Sequence, residues 1–476
     1  MNVMLIRILL YFVLDFASYV IFDNGVMEPS MGILLVFTAI FVATSIFEIV
    51  NAKGRIMLLP PIIFSIYNIV NVHIGGIIFL EYGIGDWMNF PGDPYYVVLC
   101  ALVTNIAIHC LWIGYYLVPE LKFPILNKYK SVEIDKKYFA GAMVIAVLSF
   151  LIGIKTGSFG YLKDDATAGF SAYINYGVQI GYMCIIFLAF YDHNIRRHKL
   201  VLTTLLLVYF AIGIASASKT TFGMPLVYIM LSYYVKGKRI NPAYFVLFLG
   251  VIVVSYGIIE PFRKLNQIRG DSVDYSDMGE LYGFMIDAYV ASDDQEISEI
   301  NSSLTMQMLE RQSYIAPMSM ALEYADINNY YKPEEFKDIL LSPFYAVIPR
   351  FLWPTKPQAD FGRWFSYTVY GSTDINSIGI TPQAYAYMVW RYSGIIIIFL
   401  LFGVIQKFLY ELLFRSGIFF PIYILMILTI AYPSDLTWTF IAGIIKDIFV
   451  VWIPINLLLL KTVPPKTGES MVNVKE

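Results

Sequence analysis

Positively charged side chains offer the clearest chemistry in this sequence. Arg350 and Lys356 bracket a turn rich in proline and tryptophan, and Lys219 stands beside an apolar run. The planar guanidinium of arginine binds phosphate oxygens through two parallel hydrogen bonds, and an isolated charge near a bilayer is costly. This pattern indicates a site for a phosphate or pyrophosphate group at a membrane surface. The cations assigned to that site are Arg350, Lys356, Arg311, Lys219, Arg263, Arg269 and Arg363.

Acidic residues surround these cations and leave two questions open. Each cation could instead be solvated or paired with a neighbouring carboxylate, because the stretch 260–391 holds more acids than bases. A carboxylate could also serve as a general base, but nothing in the spacing selects one. The acids considered for that role are Asp360, Glu323, Asp326, Asp287 and Glu310.

Aromatic residues of the same stretch also have two interpretations. Tyrosine and tryptophan are enriched where a membrane meets water, and their rings can equally stack on sugar rings. Trp353 is the residue assigned to substrate binding. The wider cluster consists of Trp353, Trp364, Tyr367, Tyr370, Tyr385 and Tyr387.

The composition shows which kind of protein must position these residues. Of 476 residues, 58% are hydrophobic and 14% are charged, whereas an average soluble domain has about 25% charged residues. The mean hydropathy is +0.64. These values exclude a soluble globular protein, a disordered chain and a nucleic-acid-binding protein. They predict an all-α polytopic membrane protein.

Apolar runs long enough to cross a bilayer need about 20 residues each. The sequence predicts about twelve of them, with a large external loop between the ninth and the tenth. The predicted spans are 3–22, 31–50, 56–80, 94–118, 138–155, 171–191, 200–217, 221–235, 242–259, 392–411, 417–432 and 437–460.

Lysine and arginine set the orientation, because loops on the cytoplasmic side carry an excess of both. More than half of the 33 Lys and Arg residues fall in loops that are cytoplasmic if both termini are cytoplasmic. We therefore expect an N-terminal bundle of about nine spans (1–259), a large external loop with helical segments (260–391), and C-terminal helices with a cytoplasmic tail (392–476).

Motifs of soluble enzymes are absent from the sequence. No Walker-type loop, GxGxxG, GxSxG or HExxH pattern occurs. The four histidines lie outside the external loop, and the three cysteines lie in apolar runs. We therefore predict no metal and no cofactor.

One motif resembles a known family. The run Ile348-Pro-Arg-Phe-Leu-Trp-Pro-Thr-Lys-Pro357 is similar to the iPRxLWPxKP signature of Wzy-type O-antigen or oligosaccharide repeat-unit polymerases of bacterial envelopes. Ser218-Lys219-Thr220 resembles a short element of the same family. Gln383 stands where many relatives carry an acid, so this chain has no carboxylate at that position.

The resemblance implies a reaction, partners and a location. The substrate would be an oligosaccharide repeat unit linked to undecaprenyl pyrophosphate at the outer face of the bacterial plasma membrane. A hydroxyl of one unit would attack the anomeric carbon of another, and the product would be O-antigen, capsule or exopolysaccharide. Arg350, Lys356 and Arg311 would stabilise the leaving pyrophosphate. A chain-length regulator similar to Wzz would be a possible partner.

Three other functions stay open at this point. A ligase that transfers the finished glycan has a similar layout but typically uses a histidine of the loop. A flippase or transporter of the lipid-linked unit usually shows internal repeats and charges deep in several spans, and no repeat is visible here. A non-catalytic partner of an assembly complex is the third alternative.

Overall fold

The computed structural model describes most of the predicted spans and part of the external loop. The described residues are 3–23, 30–52, 58–82, 93–121, 132–156, 168–191, 198–215, 219–237, 242–244, 246–247, 250, 314–332, 334–348, 352–353, 355–356, 361–371, 379–415, 417–432 and 437–462.

Helices make up most of these residues. The first half of the chain forms α1 (Val3–Asp23), α2 (Met31–Asn51), α3 (Pro60–Asn68), α4 (Gly75–Tyr82), α5 (Pro94–Leu117), α6 (Lys136–Lys155), α7 (Ala168–Phe190), α8 (His198–Ala215) and α9 (Lys219–Val235). The second half forms α10 (Ile315–Ile327), α11 (Glu335–Val347), α12 (Phe361–Thr368), α13 (Pro382–Leu409), α14 (Phe420–Ala431), α15 (Thr437–Ile444) and α16 (Ile453–Leu459). Wider π-helical turns at Ile69–Ile74, Tyr410–Phe414 and Ile445–Trp452 extend three of these helices.

Two short strands depart from the all-α prediction. β1 (Val132–Ile134) and β2 (Leu460–Thr462) pair in antiparallel register, with Glu133 opposite Lys461. Each strand has three residues, so the described chain is still predominantly α-helical.

Six helices of the described residues are long and apolar enough to cross a membrane. They are Met31–Asn51, Pro60–Glu81, Pro94–Leu117, Lys136–Gly153, Pro382–Phe414 and Thr437–Leu459. Four shorter apolar helices are Ile174–Phe190, Lys199–Gly213, Gly223–Val235 and Phe420–Ala431. The ninth predicted span, 242–259, lies mostly outside the described residues. The prediction of a helical chain with membrane-crossing helices is confirmed at this level.

Contacts divide the chain into two compact units. The first unit comprises Met1–Phe123, Met306–Arg415 and Met426–Trp452. The second unit comprises Pro124–Thr305, Ser416–Leu425 and Ile453–Glu476. Both units are therefore assembled from segments that are distant in sequence.

The second unit packs its helices α6 to α9 against one another. Tyrosine hydroxyls satisfy backbone carbonyls inside it: Tyr209 donates to Val178 O at 2.7 Å and Tyr228 donates to Leu425 O at 3.2 Å. Such bonds stabilise contacts between helices where no water is available.

The first unit is centred on α5, which packs closely against α13. Nearly every side chain of α5 from Val97 to Trp112 is buried, as expected for a helix that is apolar on all sides. Gly114 of α5 and Gly403 of α13 lie against the carbonyl oxygens of Leu400 and Leu111, where an added Cβ would collide with backbone. The two glycines therefore allow the helix backbones to touch.

α5 and α13 run in the same direction. At their C-terminal ends, Glu120 and Arg415 form an ion pair at 2.9 Å. At their N-terminal ends both helices contact α10, where Tyr387 of α13 donates to Asp326 at 3.1 Å. α10 therefore covers the same end of both helices.

Candidate functional site

A break in α13 forms the centre of the candidate site, which lies entirely within the first unit. The helix begins regularly, because Thr381 accepts a hydrogen bond from Ala384 N and Pro382 occupies the first turn. It is then interrupted at Trp390 (φ −144°, ψ 24°) and Arg391 (φ 57°, ψ −141°). A positive φ is unusual for a residue with a side chain, and such strained residues cluster at functional sites.

Gly394 shows why the chain can turn so tightly after this break. A Cβ at this position would collide with the carbonyl oxygen of Ala386, one turn before the break. Only glycine allows this approach, so the second part of α13 restarts directly against the first. The break presents Arg391 to α10.

Arg391 makes three contacts around the end of α10. Its Nε lies 3.4 Å from Asp326 Oδ1, and its Nη2 donates to the Ala325 carbonyl oxygen. Its guanidinium carbon lies 5.3 Å from the centre of the Tyr387 ring, a cation–π distance. The arginine therefore neutralises the C-terminal carbonyls of α10 as well as the Asp326 carboxylate.

Of the five predicted acids, Glu323 and Asp326 lie in the described part of the chain, and Asp326 is the one that faces Arg391. Tyr387 donates to its Oδ1 at 3.1 Å and lies 3.3 Å from its Oδ2. The Asp326 and Arg391 side chains are 28% and 27% exposed, so both remain in reach of a ligand. Burial raises the pKa of the Asp326 carboxyl above its usual value, while the Tyr387 hydrogen bond and the Arg391 charge oppose that rise.

Two more groups face Asp326. Tyr96, near the start of α5, is close enough for Asp326 and Glu323 to act electrostatically on its hydroxyl. Glu323 lies one turn earlier on α10, where burial and the Asp93 carboxylate raise its pKa. We call Asp326, Tyr387 and Arg391 the Asp326 site.

A second carboxylate, Glu335 at the start of α11, is fully buried. Tyr385 donates to its Oε2 at 2.5 Å, and Lys332 Nζ lies 3.6 Å away. Its Oε1 has no hydrogen-bond partner among the described residues. Burial raises the pKa of this carboxyl, and the Tyr385 hydrogen bond and the Lys332 charge lower it. This site was missed in the sequence, because Glu335 and Tyr385 are 50 residues apart.

The Pro/Trp-rich motif follows α11 directly, and Lys356 closes it onto that helix. Its Nζ donates to the carbonyl oxygens of Tyr345 and, at 3.5 Å, Ile348. A cation at this position stabilises the exposed carbonyls of a helix C-terminus. Trp353 packs against the Tyr345 ring at 5.2 Å. Lys356 therefore has a structural contact in addition to the phosphate-binding role predicted for it.

Aromatic rings of α10 and α12 pack into one cluster. Trp364 stacks on Phe361 at 4.9 Å and meets Tyr324 and Tyr330 at 5.9 and 5.3 Å. Phe361 in turn contacts Tyr385 edge-on. The cluster therefore fixes α12, which carries the exposed Arg363, against α10 and α13.

Several predicted site residues lie outside the described part of the chain. These are Arg350, Arg311, Arg263 and Arg269, together with the acids Asp360, Asp287 and Glu310. Lys219 begins α9, but its side chain is not described. The described residues include Trp353 and Lys356, which lie between α11 and α12, and Arg363, which lies on α12. Nothing in their contacts tests the binding roles predicted for them, which stay predictions.

Another polar cluster lies at the opposite end of α5. Glu48 of α2 is fully buried and accepts hydrogen bonds from Tyr11 and, at 2.5 Å, from Tyr116. Arg7 Nε lies 3.3 Å from Glu48 Oε1, and its guanidinium covers the Tyr116 ring at 4.4 Å. We call Arg7, Tyr11, Glu48 and Tyr116 the Glu48 cluster. Its carboxylate is bonded through both oxygens.

His109 of α5 extends this cluster toward α1. Its Nδ1 lies 2.6 Å from Asp15, its Nε2 lies 3.2 Å from Thr44, and its ring stacks on Tyr11 at 4.5 Å. Within the described residues, no three His, Cys, Asp or Glu side chains are grouped as metal ligands.

Comparison with known proteins adds no relative. No family model, no curated protein and no solved structure matches this chain. The motif and the geometry of the first unit are therefore the features that bear on its function.

Proposed function

We propose that this protein is a membrane glycosyltransferase that joins oligosaccharide repeat units linked to undecaprenyl pyrophosphate, and so polymerises a bacterial surface glycan. The observation that carries this proposal is the attachment of the motif-bearing segment to apolar helices. Tyr314 N donates to Asn71 O, and Lys332 N donates to Val389 O, both at 3.2 Å. A lipid-linked substrate requires a site that is built into the membrane surface in this way.

Charge supports the same proposal. The leaving pyrophosphate gains negative charge in the transition state, and preorganised cations would stabilise it. We assign that role to Arg350, Lys356 and Arg311, and we assign substrate binding to Trp353. The remaining substrate-binding residues are Lys219, Arg263, Arg269 and Arg363. The aromatic cluster around Trp364 offers faces on which sugar rings can stack.

The direction of the helices supports the twelve-span topology. Two helices that run in the same direction across a bilayer are separated by an odd number of crossings. In the twelve-span topology, α6 to α9 make four crossings between α5 and α13, and the predicted span 242–259 makes a fifth. With both termini cytoplasmic, α10 and the Asp326 site then face the outside of the plasma membrane.

The experiment is a deletion of the gene in its own host, followed by gel analysis of the surface glycan and of its lipid-linked precursors. We expect the glycan to collapse to single repeat units, and we expect wild-type protein, but not Arg350→Ala, to restore its length. Arg350→Ala should still insert normally, because Arg350 lies outside the predicted spans. Glu133→Gln, at the short strand pair of the second unit, is the matched control.

Other outcomes would replace the proposal. Unchanged lengths with precursor trapped on the inner face would identify a flippase, and full-length polymer retained on its lipid carrier would identify a ligase. Normal chain length with Arg350→Ala would remove the cationic site from the mechanism.

A further inference from the structure

We propose that Asp326 is the catalytic base that takes the proton from the attacking hydroxyl of the acceptor sugar, with Tyr387 and Arg391 as its positioning residues. This inference rests on the proposed function and adds the identity of the group that activates the acceptor.

The position of Asp326 suits an acceptor that arrives at the end of the helix bundle. α10 covers the N-terminal ends of both α5 and α13, and Asp326 lies at the last turn of α10. Its side chain is partly exposed, whereas Glu335 on the neighbouring helix is fully enclosed. Of these two carboxylates, only Asp326 can be reached by a sugar hydroxyl without movement of the helices.

The two oxygens of Asp326 are used unequally. Oδ1 faces Arg391 Nε and takes the shorter hydrogen bond from Tyr387. Oδ2 has only the longer Tyr387 contact, at 3.3 Å, among the described residues. Oδ1 therefore anchors the carboxylate, and Oδ2 is the oxygen that can accept a proton from a substrate.

The surroundings of Asp326 act on its pKa in both directions. Burial favours the neutral acid, whereas Tyr387 and Arg391 of α13 favour the carboxylate. Among the described residues, Tyr96 of α5 is a further titratable group near Asp326, and Glu323 of α10 acts on the same tyrosine. A general base is most effective when its pKa approaches the working pH, and this balance raises the pKa of Asp326 toward that range.

The chemical step transfers a glycosyl group to the acceptor and a proton to Asp326. The acceptor oxygen forms a bond to the anomeric carbon of the donor, and its proton passes to Asp326 Oδ2. The bond between that carbon and the pyrophosphate oxygen breaks, and its electron pair leaves with undecaprenyl pyrophosphate. The protonated Asp326 then returns its proton to solvent through its exposed edge.

The test uses purified full-length protein in lipid nanodiscs and lipid-linked repeat units isolated from the host that lacks the gene. We expect Asp326→Asn to slow chain extension about 10²–10⁴-fold, the usual contribution of a general base, without a change in thermal stability. Glu334→Gln replaces an exposed carboxylate just before α11; it is the matched control and should extend chains at the wild-type rate.

A second variant keeps the test decisive if Asp326→Asn does not fold. Tyr387→Phe removes a hydrogen bond that lowers the pKa of Asp326, so the pKa should rise. The base must be ionised to act, so activity is lost as the pH falls through its pKa. The acidic limb of the pH–rate profile should therefore move to higher pH in Tyr387→Phe, which a purely structural role would not cause.

The outcomes separate this inference from the proposed function. If the wild-type protein does not extend chains, the polymerase proposal fails. If it extends chains, but Asp326→Asn does so at an equal rate or Tyr387→Phe leaves the acidic limb unmoved, only the assignment of Asp326 is overturned.

Discussion

The two ends of α5 hold carboxylates in opposite circumstances. At its C-terminal end, Glu48 is fully buried and accepts tyrosine hydrogen bonds on both oxygens, with Arg7 only 14% exposed beside it. At its N-terminal end, Asp326 is partly exposed and lies against a strained helix break. Among the described residues its Oδ2 has only the 3.3 Å contact with Tyr387. A buried carboxylate bonded through both oxygens fixes how helices pack, whereas a partly exposed one is available to a ligand.

The largest loss of stability is expected when the Glu48 cluster loses its carboxylate. Glu48→Ala leaves Arg7 buried without its partner and removes the acceptor of two tyrosine hydroxyls. Breaking one partner of a buried pair costs about 3–5 kcal/mol, so we expect a strongly lowered melting temperature of the purified protein in detergent.

A double variant serves as the control for that experiment. Replacing both partners, as in Arg7→Met with Glu48→Leu, should recover most of the lost stability, because a well-packed apolar pair is often as stable as a buried ion pair. If Glu48→Ala melts like the wild type but stops chain extension, the Glu48 cluster takes part in the reaction. The two ends of α5 would then not differ in role as described above.

The next largest loss of stability is expected where α5 and α13 touch, between the two ends of α5. Gly403→Ala places a methyl group against the Leu111 carbonyl oxygen and forces α5 and α13 apart, which should cost about 1–3 kcal/mol. Gly141 on α6 has no atom within 4 Å of an added Cβ, so Gly141→Ala should melt at or slightly above the wild-type temperature. Equal melting temperatures for the two alanine variants would contradict the close contact.

The smallest effect on stability is expected at Glu335, which is enclosed like Glu48 but has a hydrogen bond to only one oxygen among the described residues. Its pKa is raised in the folded protein, so the protonated form is favoured on folding. The stability that it contributes is present at low pH and is lost as the pH rises from the usual glutamate pKa through the raised value.

Glu335→Gln should remove that pH dependence. Glutamine still accepts the Tyr385 hydrogen bond, so we expect a melting temperature at neutral pH within a few degrees of the wild type, measured from pH 4 to 8 by scanning fluorimetry. Glu334→Gln, at the adjacent position, is the control and should keep the wild-type profile. A large loss of stability in Glu335→Gln would place Glu335 with Glu48 as a structural ion.

Much of the fold could be predicted from the sequence, because apolar runs must be buried in lipid or in protein. The run 94–118 predicted a helix that the structure places at Pro94–Leu117. The predicted tenth span begins at residue 392, directly after the break at Trp390 and Arg391. The break itself could not be predicted, because it depends on the contact between Gly394 and Ala386. The π-helical turns leave no sequence pattern either.

The candidate site was only partly predictable. Asp326 was one of five acids, whereas Arg391 was not among the cations assigned to the site. Asp326 and Tyr387 are 61 residues apart. Only the packing of α10 on α13 brings them together, and spacing along the chain carries no information on it. The motif around Trp353 and Lys356 was visible as a pattern, whereas the bond from Lys356 to the end of α11 was not.

The ion pair between Glu120 and Arg415 has a consequence for how the protein is made. These residues are 295 positions apart, and a ribosome adds roughly 5–20 residues per second. During the intervening fraction of a minute, α5 waits in the membrane with the surface around Gly114, which contacts Leu400 of α13, still uncovered. The nascent chain therefore passes through a stage in which its central helix can be recognised by insertion factors or by membrane proteases. Truncations before α13 should be degraded for this reason.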